Sequence, residues 1–460
     1  MAFEKDIKSF KKDKQRVIGI TNNRYVYSRD EAYNLIVDKF AEYVSKEGIS
    51  LLKGNGDKEY FRKIKSQYRS IIGDIVYSEQ IKVREYANNM NGFIEFVVEE
   101  FVGYSVLAEA FYDPSVTDIF CNSWNEIFIE KSGNPRPEQY PLTFRSPKHF
   151  EAFIERILRV DGKEINRGTN KIVNGTFYED RFNAIIDPVA AKGPAITFRK
   201  HSEDHIKLNQ LLSGGVMSKE LADFLGMLLL GECNLVVGGI TGSGKTTTLR
   251  GLIDKYISES GKRLLVVEDT QELFPEAEHN LQLVSFYADK AEETVDLEYL
   301  IYTALRLKPK YIVIGEVRGP EAQAAVEAME TGHSTIFTAH AGTPVNLVNR
   351  IVTKFLQSMP SLGIDVVERI IGSAIDYVAI QDDIPGIGRK VTSVTEVSYD
   401  FDTRRVTFKP IYRFNFQTHE FDRLNKISPE KADKMLRRGI PLDQLREVVE
   451  GWDKENFMIY

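Results

Sequence analysis

The chain has 460 residues, 42% of them hydrophobic and 28% charged, with a formal net charge of −7. That is globular material long enough for two or three domains, and its acidic balance argues against a surface built to hold nucleic acid. The only cysteines, Cys121 and Cys233, exclude a disulfide framework or a cysteine metal site and fit a reducing cytosol.

The opening MAFEKDIKSFKKDK lacks the apolar core of a signal peptide, so a cytoplasmic location is expected. Its basic run, Lys8, Lys11, Lys12, Lys14 and Arg16, reads as a solvated terminus before a chance contact with an anionic membrane. Residues 1–100 read as a helical N-terminal extension. EAYNLIVDKFAEYVSKEG and GFIEFVVEEFVGYSVLAEAFYD place apolar residues three and four apart and stop at Gly48 and Pro114.

Residues 101–205 change to short β-branched and aromatic runs. VTDIFCN, EIFIEKSG, TFYEDRFNAII and AITFRK, with the helical HFEAFIERILRV among them, predict a small α+β domain. Residues 206–460 alternate strand with helix. NLVVGG, TTTLRGLIDKYIS, RLLVVED, LEYLIYTALRL, YIVIGE and EAQAAVEAME imply a parallel sheet covered on both faces. The most apolar stretch, LADFLGMLLLG, is too short to span a bilayer. VTSVTEVSYDFDTRRVTFKPIYRF predicts a hairpin turning at Asp402–Thr403. The helix SPEKADKMLRRG follows, started by Ser428 and stopped by Gly439.

GITGSGKT fits the phosphate loop G-x-x-x-x-G-K-T and lies between a strand and a helix, the context that motif requires. The expected ATP-binding set is Gly239, Thr241, Gly242, Ser243, Gly244, Lys245, Thr246 and Thr247. The glycines let backbone N–H groups turn toward phosphate oxygens, and the helix adds the positive end of its dipole. Lys245 is expected on the β- and γ-phosphates and the Thr246 hydroxyl on Mg²⁺. Glu268 and Asp269, at the end of RLLVVED, are expected to hold Mg²⁺ partly through water. Glu316 ends the strand YIVIG and is expected to orient or activate water; glycine precedes it where aspartate is common.

His333 and His340 stand seven residues apart in TGHSTIFTAHAG. STIFT reads as a strand, on which an odd offset sends the two rings to opposite faces, and zinc needs three or four ligands. Separate roles are expected: His340 at the strand end to sense the γ-phosphate, and His333 to brace Glu316 or a subunit interface.

Together GGITGSGKTTTL, LLVVEDTQEL, LRLKPKYIVIGEVRGPEA and METGHSTIFTAHA resemble the phosphate loop, Asp box, Walker B strand and His box of the secretion ATPase superfamily. These are the motors of type II and type IV secretion, type IV pili and archaella. LAEAFYDPSVTDIFCN, EIFIEKSG, YEDRFNAIIDPVAAKGPAITFRK and SAIDYVAIQ…GRKVTSVTEV resemble the CpaF/TadA group of tight-adherence (Flp) pilus assembly ATPases. The resemblance covers about residues 101–415 and implies an α/β chain: a RecA-like P-loop ATPase domain with a smaller α+β amino-terminal domain. It also implies a homo-hexamer that works at an inner-membrane platform protein with peripheral membrane association. Arg181 and Arg199 match the arginines with which that amino-terminal domain completes the ATP site, and Arg318 is a further candidate for holding the Glu316 loop. Three departures stand out. Glu179–Asp180, beside Arg181, can pair with it. INRGTNKIVNG carries glycine where proline is common. The His box is one residue shorter than in most CpaF-like and conjugative ATPases, an offset more like pilus retraction, type II secretion or archaellar motors. A RecA-like nucleic-acid translocase is the competing class, disfavoured by the acidic charge and the lack of a basic–aromatic stretch.

Overall fold

The computed structural model describes residues 26–132, 134–168, 170–201, 206–287 and 291–451. The basic run from Lys8 to Arg16 lies outside them. The chain divides into two compact units, Met1–Glu203 and Asp204–Tyr460.

The first unit opens with helices α1 (Arg29–Lys46), α2 (Lys58–Ser78) and α3 (Met90–Phe101). Each starts at a side chain that accepts from a free backbone N–H: Ser28 in a capping box with Glu31, then Asp57 and Asn89. Their apolar stripes close on one another through Ile36, Ile72, Val76, Phe93 and Val97. A six-stranded antiparallel sheet follows, built from β1 (Val116–Ser123), β2 (Glu126–Lys131), β3 (Asn134–Gln139), β4 (Ile172–Phe177), β5 (Asp180–Ile185) and β6 (Ala195–Arg199). Its order is β3-β2-β1-β6-β5-β4. The proline-bearing NPRPEQ of β3, not anticipated as a strand, is tolerated because it lies at an edge. Helix α4 (Pro147–Val160) packs Phe153 and Ile157 among Ile119, Ile196 and Phe198 of the sheet.

The described helices of the first hundred residues pack with the sheet that follows them. Phe61 and Ile64 of α2 sit in the same core as Ile119, Phe177 and Phe198, so helices and sheet share one unit. An amphipathic stripe says that a helix buries one face, not what covers it.

The second unit is a nine-stranded sheet. Its strands are β7 (Leu235–Gly238), β8 (Leu264–Glu268), β9 (Asn280–Val284), β10 (Tyr311–Ile314), β11 (Ser334–Ala339), β12 (Tyr377–Ile384), β13 (Gly388–Asp400), β14 (Arg405–Phe414) and β15 (Phe421–Arg423). The order is β9-β8-β10-β11-β7-β12-β13-β14-β15. The first six run parallel and the last three continue antiparallel. The central strands β7, β8, β10 and β11 are buried at every residue, as continuous apolar runs covered on both faces must be. One face is sealed by a core holding Leu225 of α5 (Lys219–Leu230), Leu249, Ile253 and Tyr377, the other by a core holding Ile301, Ala325, Ile351 and Ile371. This is a RecA-like α/β fold with an antiparallel extension. No helix among the described residues is long and apolar enough to cross a membrane.

The register places the site. Gly238 pairs with Ala339 and Ile380, and Val267 pairs with Ile314. The loops after β7, β8, β10 and β11 therefore leave the sheet at its carboxyl edge, where ligands bind in open parallel sheets.

Candidate functional site

Strand β7 hands over to α6 (Lys245–Leu252) through the loop 239–244. Gly239 has φ 157°, and a Cβ there would lie 2.1 Å from the carbonyl oxygen of Gln381, so only glycine lets the loop lie against β12. Lys245 is 7% exposed and donates to Gly239 O at 3.1 Å and Ile240 O at 2.9 Å. Burial lowers the pKa of its ammonium, while the charges of Glu316, Asp382 and Glu272 pull the other way. A cation held on loop carbonyls at a helix start is a ready phosphate partner.

The nitrogen of Lys245 lies 3.4 Å from His340 Nδ1, and His340 Nε2 lies 3.0 Å from Glu316 Oε1. An ammonium only donates, so Nδ1 accepts and the ring proton sits on Nε2, facing the carboxylate. Thus three of the sequence-derived candidates, Lys245, His340 and Glu316, form one continuous chain. Thr338 of β11 donates to Gly315 O at 2.6 Å, and Val317 N donates to Thr338 O at 2.8 Å, which fixes the backbone on both sides of Glu316. The glycine at 315 has a steric cause: a Cβ there would lie 2.9 Å from Glu268 Cγ.

Glu268 and Asp269, the acids expected to hold Mg²⁺ partly through water, are both bonded by protein groups. Glu268 is 3% exposed, and its carboxylate accepts from the backbone N–H groups of Glu272 and Leu273, each at 3.2 Å. Asp269 accepts from Ser285 Oγ at 3.0 Å and Tyr287 OH at 2.9 Å, and pairs with Arg318 at 2.7 Å. Burial disfavours the Arg318 charge, but Asp269 and Glu316 outweigh it and hold the guanidinium pKa above its ordinary value. Arg318 therefore ties the Glu316 loop to the loop after β8. Among the described residues no group of three or more histidine, cysteine, aspartate or glutamate side chains could hold a metal. Thr246 is half-buried in the first turn of α6.

His333 is at the other end of β11, about 20 Å of strand away from His340. Its Nδ1 lies 3.0 Å from Thr331 Oγ1, and burial lowers its pKa. It does not brace Glu316. Thr241 is exposed and Thr247 half-buried.

Two residues of the site escaped the sequence reading. Gln381 is 1% exposed and its Nε2 donates to Ser243 O at 2.7 Å, and Asp382 acts on Lys245 through its charge. The signal was present in YVAIQDD, where polar residues end an apolar strand at the same sheet edge as the phosphate loop.

In the first unit Arg181 of β5 and Arg199 of β6 are directly paired across the sheet. Arg199 Nε lies 3.2 Å from Asp118 Oδ1 with its side chain 61% exposed. Asp180 does not hold Arg181. It points into the core, where it is bonded by Lys58, by Tyr104 OH at 2.8 Å and by His201 N at 2.8 Å. Alternation along β5 sends Arg181 to the opposite face.

Residues 104–382 match the model of the type II/IV secretion system protein family. The chain is 30% identical over 278 residues to an uncharacterized protein of Methanocaldococcus jannaschii, covering 59% of this chain and 49% of that one. It thus spans about half that relative's length. It is 28% identical over 295 residues to the conjugal transfer protein TrbB of Rhizobium radiobacter, covering 63% and 86%. Among solved structures it is similar to the Legionella pneumophila ATPase DotB, with 23% identity, 64% and 80% coverage and a TM-score of 0.44. With more than half of its length matched, the chain belongs to the type II/IV secretion system protein family.

Proposed function

We propose that this chain is an ATP-hydrolysing motor that drives assembly of a pilus or transport through a secretion system. The observation that carries the proposal is the Lys245–His340–Glu316 chain at the mouth of the phosphate loop. When ATP enters, Lys245 exchanges the carbonyls of Gly239 and Ile240 for phosphate oxygens. His340 Nδ1 then loses its donor, so the ring reports the presence of phosphate to the Glu316 carboxylate. Glu316 orients the attacking water and accepts its proton. Mg²⁺, when bound, would be held by the Thr246 hydroxyl and would supply charge neutralisation for the phosphates.

Arg181 and Arg199 are the cations we assign to completing the site on the γ-phosphate. Their adjacency concentrates positive charge on one patch of sheet, and Asp118 holds Arg199 until a stronger anion competes. A homo-hexamer at an inner-membrane platform, with tight-adherence (Flp) pili as the fibre, follows from the resemblance of residues 101–415 to the CpaF/TadA group. A conjugative secretion role is the second reading, favoured by the similarity to TrbB. We place partner docking on residues 1–100, which include α1 and α2 and most of α3. Deleting these helices would take Phe61 and Ile64 out of the core, so surface substitutions are the proper test of docking.

Steady-state hydrolysis of ATP with Mg²⁺ tests the proposal. The wild-type chain should turn over ATP, and Lys245→Ala and Arg199→Ala should not; turnover that persists in Lys245→Ala would reject it.

A further inference from the structure

We infer that Gln381 is a positioning residue of the nucleotide site, one that aims the phosphate loop's backbone at its anion. The inference rests on the nucleotide reading above. Gln381 touches both ends of the loop. At the start, its carbonyl oxygen occupies the space a Cβ on Gly239 would need. At the end, its Nε2 donates to Ser243 O at 2.7 Å. Both Gln381 and Ser243 are buried, at 1% and 0% exposure, so this bond is made without competing water.

The consequence comes from peptide geometry. In a planar trans peptide the carbonyl and the following N–H point in opposite directions. With Ser243 O drawn toward β12, the N–H of Gly244 is turned away from β12. Gly244 is left-handed at φ 87° and is the residue from which α6 starts, so its N–H heads the helix's free donors. Ser243 itself is locked by its hydroxyl, which donates to Ile240 O at 2.9 Å. The remaining freedom of the 243–244 peptide is a flip, and Gln381 opposes it. A flipped peptide would offer phosphate a carbonyl oxygen in place of a donor. The other amide atom, Gln381 Oε1, is buried with no hydrogen-bond partner among the described residues. A side chain kept there at that cost fits a role beyond packing.

The test uses the full chain and ADP, read by calorimetry. Gln381→Glu keeps the shape but sets a carboxylate against Ser243 O, and Gln381→Met keeps the bulk without a donor. At about pH 8 both variants should bind ADP roughly tenfold more weakly than wild type, the cost of one buried hydrogen bond. Burial raises the introduced carboxyl's pKa, so by about pH 5.5 it is protonated and can donate. The deficit of Gln381→Glu relative to wild type should then shrink to within about threefold, while that of Gln381→Met stays. A packing role alone predicts no such pH-dependent rescue. Wild-type affinity in both variants, or a Gln381→Glu deficit that pH does not move, would overturn the inference while leaving nucleotide binding intact. Absence of ADP binding by the wild-type chain would instead overturn the nucleotide reading, and this inference with it.

Discussion

His340 bridges Lys245 and Glu316: its Nδ1 lies 3.4 Å from the lysine nitrogen and its Nε2 lies 3.0 Å from the carboxylate. The bridge joins the group we assign to phosphate to the group we assign to water. His340→Ala should leave ATP affinity within about threefold, because Lys245 keeps its phosphate partner. It should lower kcat by about 10²-fold or more, since Glu316 loses its orienting donor. Parallel measurement of kcat and of ATP dissociation separates the two effects; a loss confined to affinity would place His340 in binding rather than in the reaction.

Lys245 sets a pH dependence whose sign follows from its burial. Its pKa in the free protein lies below the ordinary lysine value of about 10.5, and bound phosphate favours the charged form. Between those two values binding takes up a proton, so affinity falls as pH rises, by up to about tenfold per unit. Calorimetry at alkaline pH in buffers of different ionisation enthalpy should detect that uptake. Constant ATP affinity up to about pH 10 would contradict the lowered value.

Asp376 is a stability element at the amino end of β12. It is 2% exposed, accepts from Asn234 N at 2.7 Å and Lys431 Nζ at 2.8 Å, and is also paired with Lys434. Burial opposes its charge, but Lys431 and Lys434 outweigh it and hold the carboxyl below its ordinary value. A depressed carboxylate stabilises the fold above its unfolded value of about 4, and that stability is lost as pH falls through the folded one. Asp376→Asn should cost about 3–5 kcal/mol near neutral pH, because it strands the buried Lys431. Chemical denaturation of both forms checks this; a cost under about 1 kcal/mol would mean that the lysines find water instead.

Features encoded within one segment were legible in the sequence. GITGSGKT gave the loop and helix α6 because strand, glycines and lysine sit within a dozen residues, and apolar runs gave the buried strands. What went unread depends on contacts between distant segments. Nothing near Glu268 says that its carboxylate turns back to the N–H groups of Glu272 and Leu273, or that Arg318 claims Asp269. Gln381 reaches the phosphate loop only because β12 lies next to β7, a sheet order that local pattern does not encode. The merging of α2 into the core of the first sheet is of the same kind.

Glu316→Gln carries the most direct test. The substitution preserves size and can still hydrogen-bond His340, but it cannot accept a proton from water. ATP binding with Mg²⁺ should stay within about threefold of wild type, while hydrolysis measured in the same samples falls by about 10³-fold or more. Hydrolysis at near wild-type rate in Glu316→Gln would contradict the role given to this carboxylate and to the chain that ends on it.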